Sequence, residues 1–289
     1  MGDETLVQAL LEHPSPSVRV CACLDLAREH RAGPPDNRLV QALQAEVVQR
    51  SPVKEILDAQ YPAGYWMHAG LGISPRYRAT LWQVLFLAQL GAGPSPPIVR
   101  AIDRILRDNR DPSTGALRLH KGPEGHDLSL TAALLWAVAR LGLADESAWD
   151  ISWRWVRKRT QGGCVDVCAA VWVIRAAVAW RREPLLRSLT PPNWDLMRRH
   201  LCHSLTFPLT RQPDLLAGLQ MCVEAGHPEW LPEWTLSFLA GKRRAEGWPL
   251  EQTPAPMWAS CGTPGEVNPW VSVRVLSVWL PLVSRKPMP

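Results

Sequence analysis

The chain has 289 residues, enough for a large core in one domain or two, and a formal net charge of +5. No run of about 18 apolar residues is free of charge or proline, which argues against a membrane span. The acidic start Met1-Gly2-Asp3-Glu4 lacks a cationic and apolar leader, and seven cysteines form no tight framework, so the expected location is cytoplasmic.

Only five lysines occur, so the positive charge is mostly arginine, which suits phosphates and carboxylates but also an ordinary solvated surface. The densest clusters, 154–159 and 242–244, lie on expected outer helices and match no nucleic-acid-binding motif, so no nucleic-acid partner is expected. Fifteen tryptophans stand against three phenylalanines and three tyrosines. An indole N–H needs a partner when buried, so this excess points to turns and cavity walls rather than a leucine-packed bundle.

In chain order, a short helix is expected over 5–12, stopped by Pro14 and Pro16. A second follows over 17–27, with Val18, Cys21 and Leu24 on one stripe, and a third over 37–49. The Pro-x-Val-Arg start of the second resembles a HEAT-type helix. Residues 1–50 are read as a helical cap, and 51–289 as a domain of about five two-helix repeats. Each repeat has an amphipathic outer helix, a short turn and a nearly all-apolar inner helix. Outer helices are predicted over 53–60, 97–109, 146–160, 194–204 and 231–240. Inner helices are predicted over 80–90, 131–141, 166–180, 214–225 and 271–283, with Gly91, Gly142 and Gly226 placed to end three of them. The Pro-rich segment 247–269 is long enough to cover a site.

An inner helix that is apolar all round cannot bury itself alone, so the repeats must stack. Their polar residues gather at the helix starts: Arg78, His126-Asp127, Asp166, Asp214 and Asn268. Asp and Asn are ordinary N-cap residues. As a set at converging helix ends they also suggest a lined cavity.

The turn Gln60-Tyr61-Pro62-Ala63-Gly64-Tyr65-Trp66 resembles the Gln-x3-Gly-x-Trp end of the motif that staples the outer helices of squalene–hopene cyclases, and Gly247-Trp248 looks like a second, worn copy. Over about 52–283 the chain resembles the terpenoid cyclase and protein prenyltransferase superfamily, nearest to small single-barrel bacterial members. The resemblance implies an all-α fold, an α/α toroid with a small N-terminal helical cap. It also implies an apolar isoprenoid-like ligand in a central cavity. Trp82, Trp136, Trp172 and Trp270 would line that cavity with Arg78 at its mouth, because indole faces stabilise cations. The Asp-x-Asp-Asp acid of the cyclases is absent, which leaves Asp127, Asp166 and Asp214 as candidate acids.

The prenyltransferase pattern Asp-x-Cys-x3-Trp has a counterpart in Asp166-Val167-Cys168 through Trp172, so Asp166 and Cys168 are candidate zinc ligands, with Cys164 beside them. Where the family places its histidine ligand, this chain has Arg211-Gln212-Pro213-Asp214, so zinc is not the expected cofactor. No Gly-rich phosphate loop, Gly-x-Ser-x-Gly elbow or His-Glu-x-x-His is present. The favoured expectation is binding, with cyclisation or isomerisation as its catalytic extension. A non-catalytic helical-repeat scaffold and a zinc-dependent transferase are the alternatives.

Overall fold

A computed structural model describes residues 1–26, 36–120, 125–161 and 166–284. These contain fourteen α-helices, and β-pairing among them is limited to isolated bridges. None of these helices is long and apolar enough to cross a membrane.

The N-terminal segment gives α1 (Asp3–Leu11), α2 (Pro16–Leu26) and α3 (Asn37–Val47). The predicted inner helices are α5 (Thr80–Gln89), α7 (Leu128–Arg140), α9 (Val167–Ala179), α12 (Leu215–Glu224) and α14 (Pro269–Val283). All ten residues of α5 are buried. Complete burial of a large aliphatic side chain contributes about 1.5–3 kcal/mol, so these helices carry much of the hydrophobic stabilisation.

The outer set comprises α4 (Val53–Asp58), α6 (Pro96–Asp108), α8 (Glu146–Thr160), α11 (Trp194–His200) and α13 (Thr235–Ala240). Three of these are shorter than their predicted ranges. At α11 the backbone turns extended at Leu201, and Cys202 pairs with Asp214 instead of continuing the helix. A short α10 (Glu183–Leu186) and a 3-10 turn at Pro228–Trp230 were not foreseen, because neither is long enough to show a period.

Among the inner helices, α5 packs on α7, α7 on α9, α9 on α12 and α12 on α14. α14 also packs on α2. The first turn of α2 meets the last turn of α5, where Ser17 Oγ donates to the Leu90 carbonyl at 2.6 Å. In the last turn of α2, Asp25 pairs with Arg140 at the end of α7 at 2.9 Å. Within the N-terminal segment α1 and α3 both pack on α2.

The stapling turn explains its own residues. Gln60 Nε2 donates to the Pro97 carbonyl at the start of α6 (2.9 Å), and Trp66 Nε1 donates to the Ile56 carbonyl of α4 (2.6 Å). Thr80 Oγ1, at the start of α5, accepts from the Trp66 amide at 3.1 Å. Gly64 has φ +87°, and a Cβ there would lie 2.8 Å from the Arg100 carbonyl oxygen, so only glycine allows this approach. The same device recurs at Trp248, whose Nε1 donates to the Leu239 carbonyl (2.7 Å) and whose amide donates to Ser272 Oγ (3.0 Å). A third copy has lost its tryptophan: Gly115 (φ +76°) precedes Leu117, whose amide donates to Thr131 Oγ1 at 2.9 Å.

Candidate functional site

Four inner helices begin with a side-chain cap. Asp127 accepts from the Leu130 amide (2.6 Å), Asp166 from Ala169 (3.0 Å), Asp214 from Ala217 (2.8 Å) and Asn268 from Val271 (3.1 Å). Each satisfies an N–H that has no partner within its own helix.

Two segments pack against these helices, the first reaching from the starts of α7 and α12 to the C-terminal residue of α5. In residues 205–214, Gln89 holds Leu209 from both sides, its Oε1 accepting from the amide (2.6 Å) and its Nε2 donating to the carbonyl (2.8 Å). The segment 247–269 lies against it, with the Phe207 amide donating to the Gln252 carbonyl at 3.1 Å. Further along, Trp258 Nε1 donates to the Arg78 carbonyl at 2.9 Å. The Arg78 guanidinium lies 3.9 Å from the centre of the Trp258 ring. Both segments help to border a cavity of about 460 Å³, together with Cys168, His200, Cys202 and Asp214.

A second cavity lies at the other end, where the C-terminal turns of α2, α7, α9 and α12 converge. It has a volume of about 190 Å³ and is lined by Leu24, Trp136, Val178 and Val223 on its apolar side, with Gln220 and Ser277 among its polar groups. A narrower chamber of about 30 Å³ shares Trp136, Arg140, Arg175 and Gln220 with it and adds Gln89, Phe207 and Trp270. Two ion pairs border the larger chamber. Arg140 joins Asp25, and Arg175 donates from Nε and Nη2 to Glu224 at 2.9 and 2.8 Å. Cations at helix C-termini are favoured by the helix dipole, which helps to place Arg140 in the last turn of α7. Burial opposes the charge on Arg140, but Asp25, Cys21 and Glu224 together outweigh it and hold the pKa above the ordinary arginine value. Burial, reinforced by Asp25, pushes the Cys21 thiol up to about 12.

The Arg175 guanidinium lies 5.0 Å from the Trp136 ring centre and 5.5 Å from that of Trp172, distances at which cation–π attraction operates. Trp136 and Trp172 pack with ring centres 5.5 Å apart.

The expected site residues are therefore divided between two ends. Trp136 lines both of these chambers and Trp270 the narrower one, where it stacks on Phe207 at 5.5 Å. Trp172 packs behind Trp136, and its Nε1 donates to the Arg211 carbonyl at 3.1 Å. Trp82 belongs to a separate small cluster with Ala79 and Phe86, its Nε1 donating to the Ile73 carbonyl (2.8 Å). Arg78, Asp127, Asp166 and Asp214 stand at or just before the starts of α5, α7, α9 and α12 and line neither of these two cavities.

The candidate zinc pair is a poor donor set. Asp166 is engaged as a helix cap, and burial raises the Cys168 thiol against the thiolate a metal needs. Nearby Arg211 pairs with Asp127. Among the described residues no group of three or more His, Cys, Asp and Glu is placed to hold a metal ion, and Cys164 lies outside them.

The sequence reading missed Asp25, Arg140, Arg175, Gln220 and Glu224. A signal was present: Arg175 and Gln220 are polar residues inside otherwise apolar helices that have little other reason to carry them.

No family model matches the chain, and no curated protein or solved structure matches it.

Proposed function

We propose that the inner helices, with α2, close into an α/α toroid akin to the terpenoid cyclases and protein prenyltransferases, and that the chain binds a small isoprenoid-like molecule along its axis. The observation that carries this reading is the cavity shared by α2, α7, α9, α12 and α14, with the Trp136 indole as one wall. The recurring stapling turn supports the kinship. At about 190 Å³ the cavity is smaller than the roughly 300–1,000 Å³ of common ligand pockets, which favours a short ligand. Its lining favours an amphipathic one: an apolar body against Trp136, Val178 and Val223, and a hydroxyl or carboxyl facing Gln220, Ser277 and the arginines. The proposal is binding; the cavity carboxylates Asp25 and Glu224 are both engaged by arginines and no proton-transfer step is assigned to them.

Titration of tryptophan fluorescence with geraniol, geranic acid and farnesol tests this. Saturable quenching is expected, strongest for the two shorter molecules. Ala139→Trp, which adds an indole to the cavity lining, is expected to weaken it at least tenfold without lowering the thermal midpoint. Quenching that fails to saturate with all three, or that persists undiminished in Ala139→Trp, overturns the reading.

A further inference from the structure

A different surface has no part in the axial cavity. On α8, Asp150, Trp153, Arg154 and Arg157 are spaced 3, 4 and 7 apart and so share one helix face. With Arg182, Pro184 and Leu185 of the following hairpin they line a groove of about 300 Å³. Trp153 forms its buried wall, 7 % exposed, and its Nε1 is a buried donor with no acceptor in the structure. Arg182 Nε is in the same condition, and its guanidinium lies 5.0 Å from the Trp153 ring centre. Leu185 and Pro184 supply an apolar wall opposite.

The charge around this groove is unbalanced. Asp150 holds Arg154 at 3.0 Å, and Glu146 pairs with Arg182. Arg157, which lines the groove, is exposed and no ion pair among the described residues holds it; Lys158 and Arg181, next in sequence to the lining residues Arg157 and Arg182, are likewise exposed and outside any such pair. An unpaired arginine beside an aromatic and aliphatic floor selects an anion that carries apolar groups.

We infer that this groove binds a short acidic peptide segment of a partner protein, one apolar side chain seating on Trp153 and Leu185 while flanking carboxylates meet Arg157 and its neighbours. Charge complementarity argues for this occupant. A nucleic acid would present a dense, regular row of phosphates. Asp150, Glu146 and Glu183 are interspersed with the arginines and would repel such a row, whereas a peptide can place its carboxylates between them.

The test is fluorescence anisotropy with a fluorescein-labelled octapeptide, Glu-Glu-Leu-Glu-Glu-Leu-Glu-Glu, titrated with the full chain at low and physiological salt. Saturable binding is expected, weakening with salt because exposed charges are screened. Arg157→Glu is expected to reduce affinity at least tenfold, with an unchanged thermal midpoint because Arg157 is exposed and unpaired. The same variant is expected to gain affinity for the Lys-Lys-Leu counterpart. Equal affinity of wild type and Arg157→Glu for the acidic peptide, an absence of saturable binding, or equally tight binding of oligothymidine would each overturn the assignment. Geraniol quenching in Arg157→Glu should match wild type, so failure here and failure of the axial-cavity reading are separable.

Discussion

Asp214 and Arg274 form a two-pronged ion pair almost wholly withdrawn from water, with Arg274 Nη2 on Asp214 Oδ1 at 2.7 Å and Nη1 on Oδ2 at 3.1 Å. The two side chains are 1 % and 7 % exposed. Asp214 also caps α12 and accepts from the Thr206 amide at 2.9 Å, while Arg274 Nε donates to Gln220 Oε1 at 3.0 Å. One buried network therefore ties α12, α14 and the segment 205–214 together, and it reaches the axial cavity through Gln220.

Removing one member leaves the other charge buried and unpaired. Asp214→Ala is expected to cost about 3–5 kcal/mol, read by urea denaturation. The double variant Asp214→Leu/Arg274→Met should be closer to wild type, since no orphan charge remains. A single variant losing less than about 1 kcal/mol would show that water reaches Arg274.

Gly64 and Gly226 separate two contributions of glycine. Both have positive φ, but a Cβ at Gly64 meets the Arg100 carbonyl oxygen at 2.8 Å, whereas one at Gly226 meets nothing within 4 Å. Gly226→Ala should cost about 1 kcal/mol from backbone conformation alone, and Gly64→Ala about 2–3 kcal/mol because α6 must also move. Chemical denaturation of both variants checks the order. Equal losses would mean that the close approach at Gly64 relaxes freely.

Burial, with a lesser carboxylate contribution in each case, pushes the thiols of Cys21, Cys222 and Cys261 up to about 12. Cys202 is exposed. Iodoacetamide at pH 8, followed by mass spectrometry, should label Cys202 rapidly and leave these three unmodified until denaturant is added. Early labelling of Cys222 would indicate opening of α12 from α14.

Asp111 is held below the ordinary carboxylate range by the Ser113 side chain, with further bonds from His126, the Ser113 amide and Arg118 outweighing burial. A carboxyl whose folded pKa is depressed stabilises fully above its unfolded value of about 3.9 and loses that contribution as pH falls below it. Asp111→Asn should therefore be less stable than wild type at pH 7, with the gap closing between about pH 5 and pH 2. Thermal midpoints measured across that range check the sign.

Much of this architecture was legible one segment at a time. The all-apolar stretches had to be buried helices, Asp127, Asp166, Asp214 and Asn268 stood where helix caps stand, and Gln60, Gly64 and Trp66 announced a stapling turn. These are local matters: a helix period, a cap and a positive φ depend on residues within a turn or two of one another. The partners of Gln60 and Gly64 lie in the next outer helix, yet the motif carries enough pattern to imply them.

What remained illegible depends on which distant residues meet. Asp25 and Arg140 are 115 positions apart, Arg175 and Glu224 are 49, and neither pair follows any period. The helix starts drew attention because caps are recognisable, but the cavity bordered by Arg140, Arg175 and Glu224 lies where the C-terminal turns converge. Only the tertiary arrangement turns Arg175 from an anomaly in an apolar helix into a cavity wall. A buried guanidinium requires a carboxylate, and the fold alone determines which one lies within 3 Å.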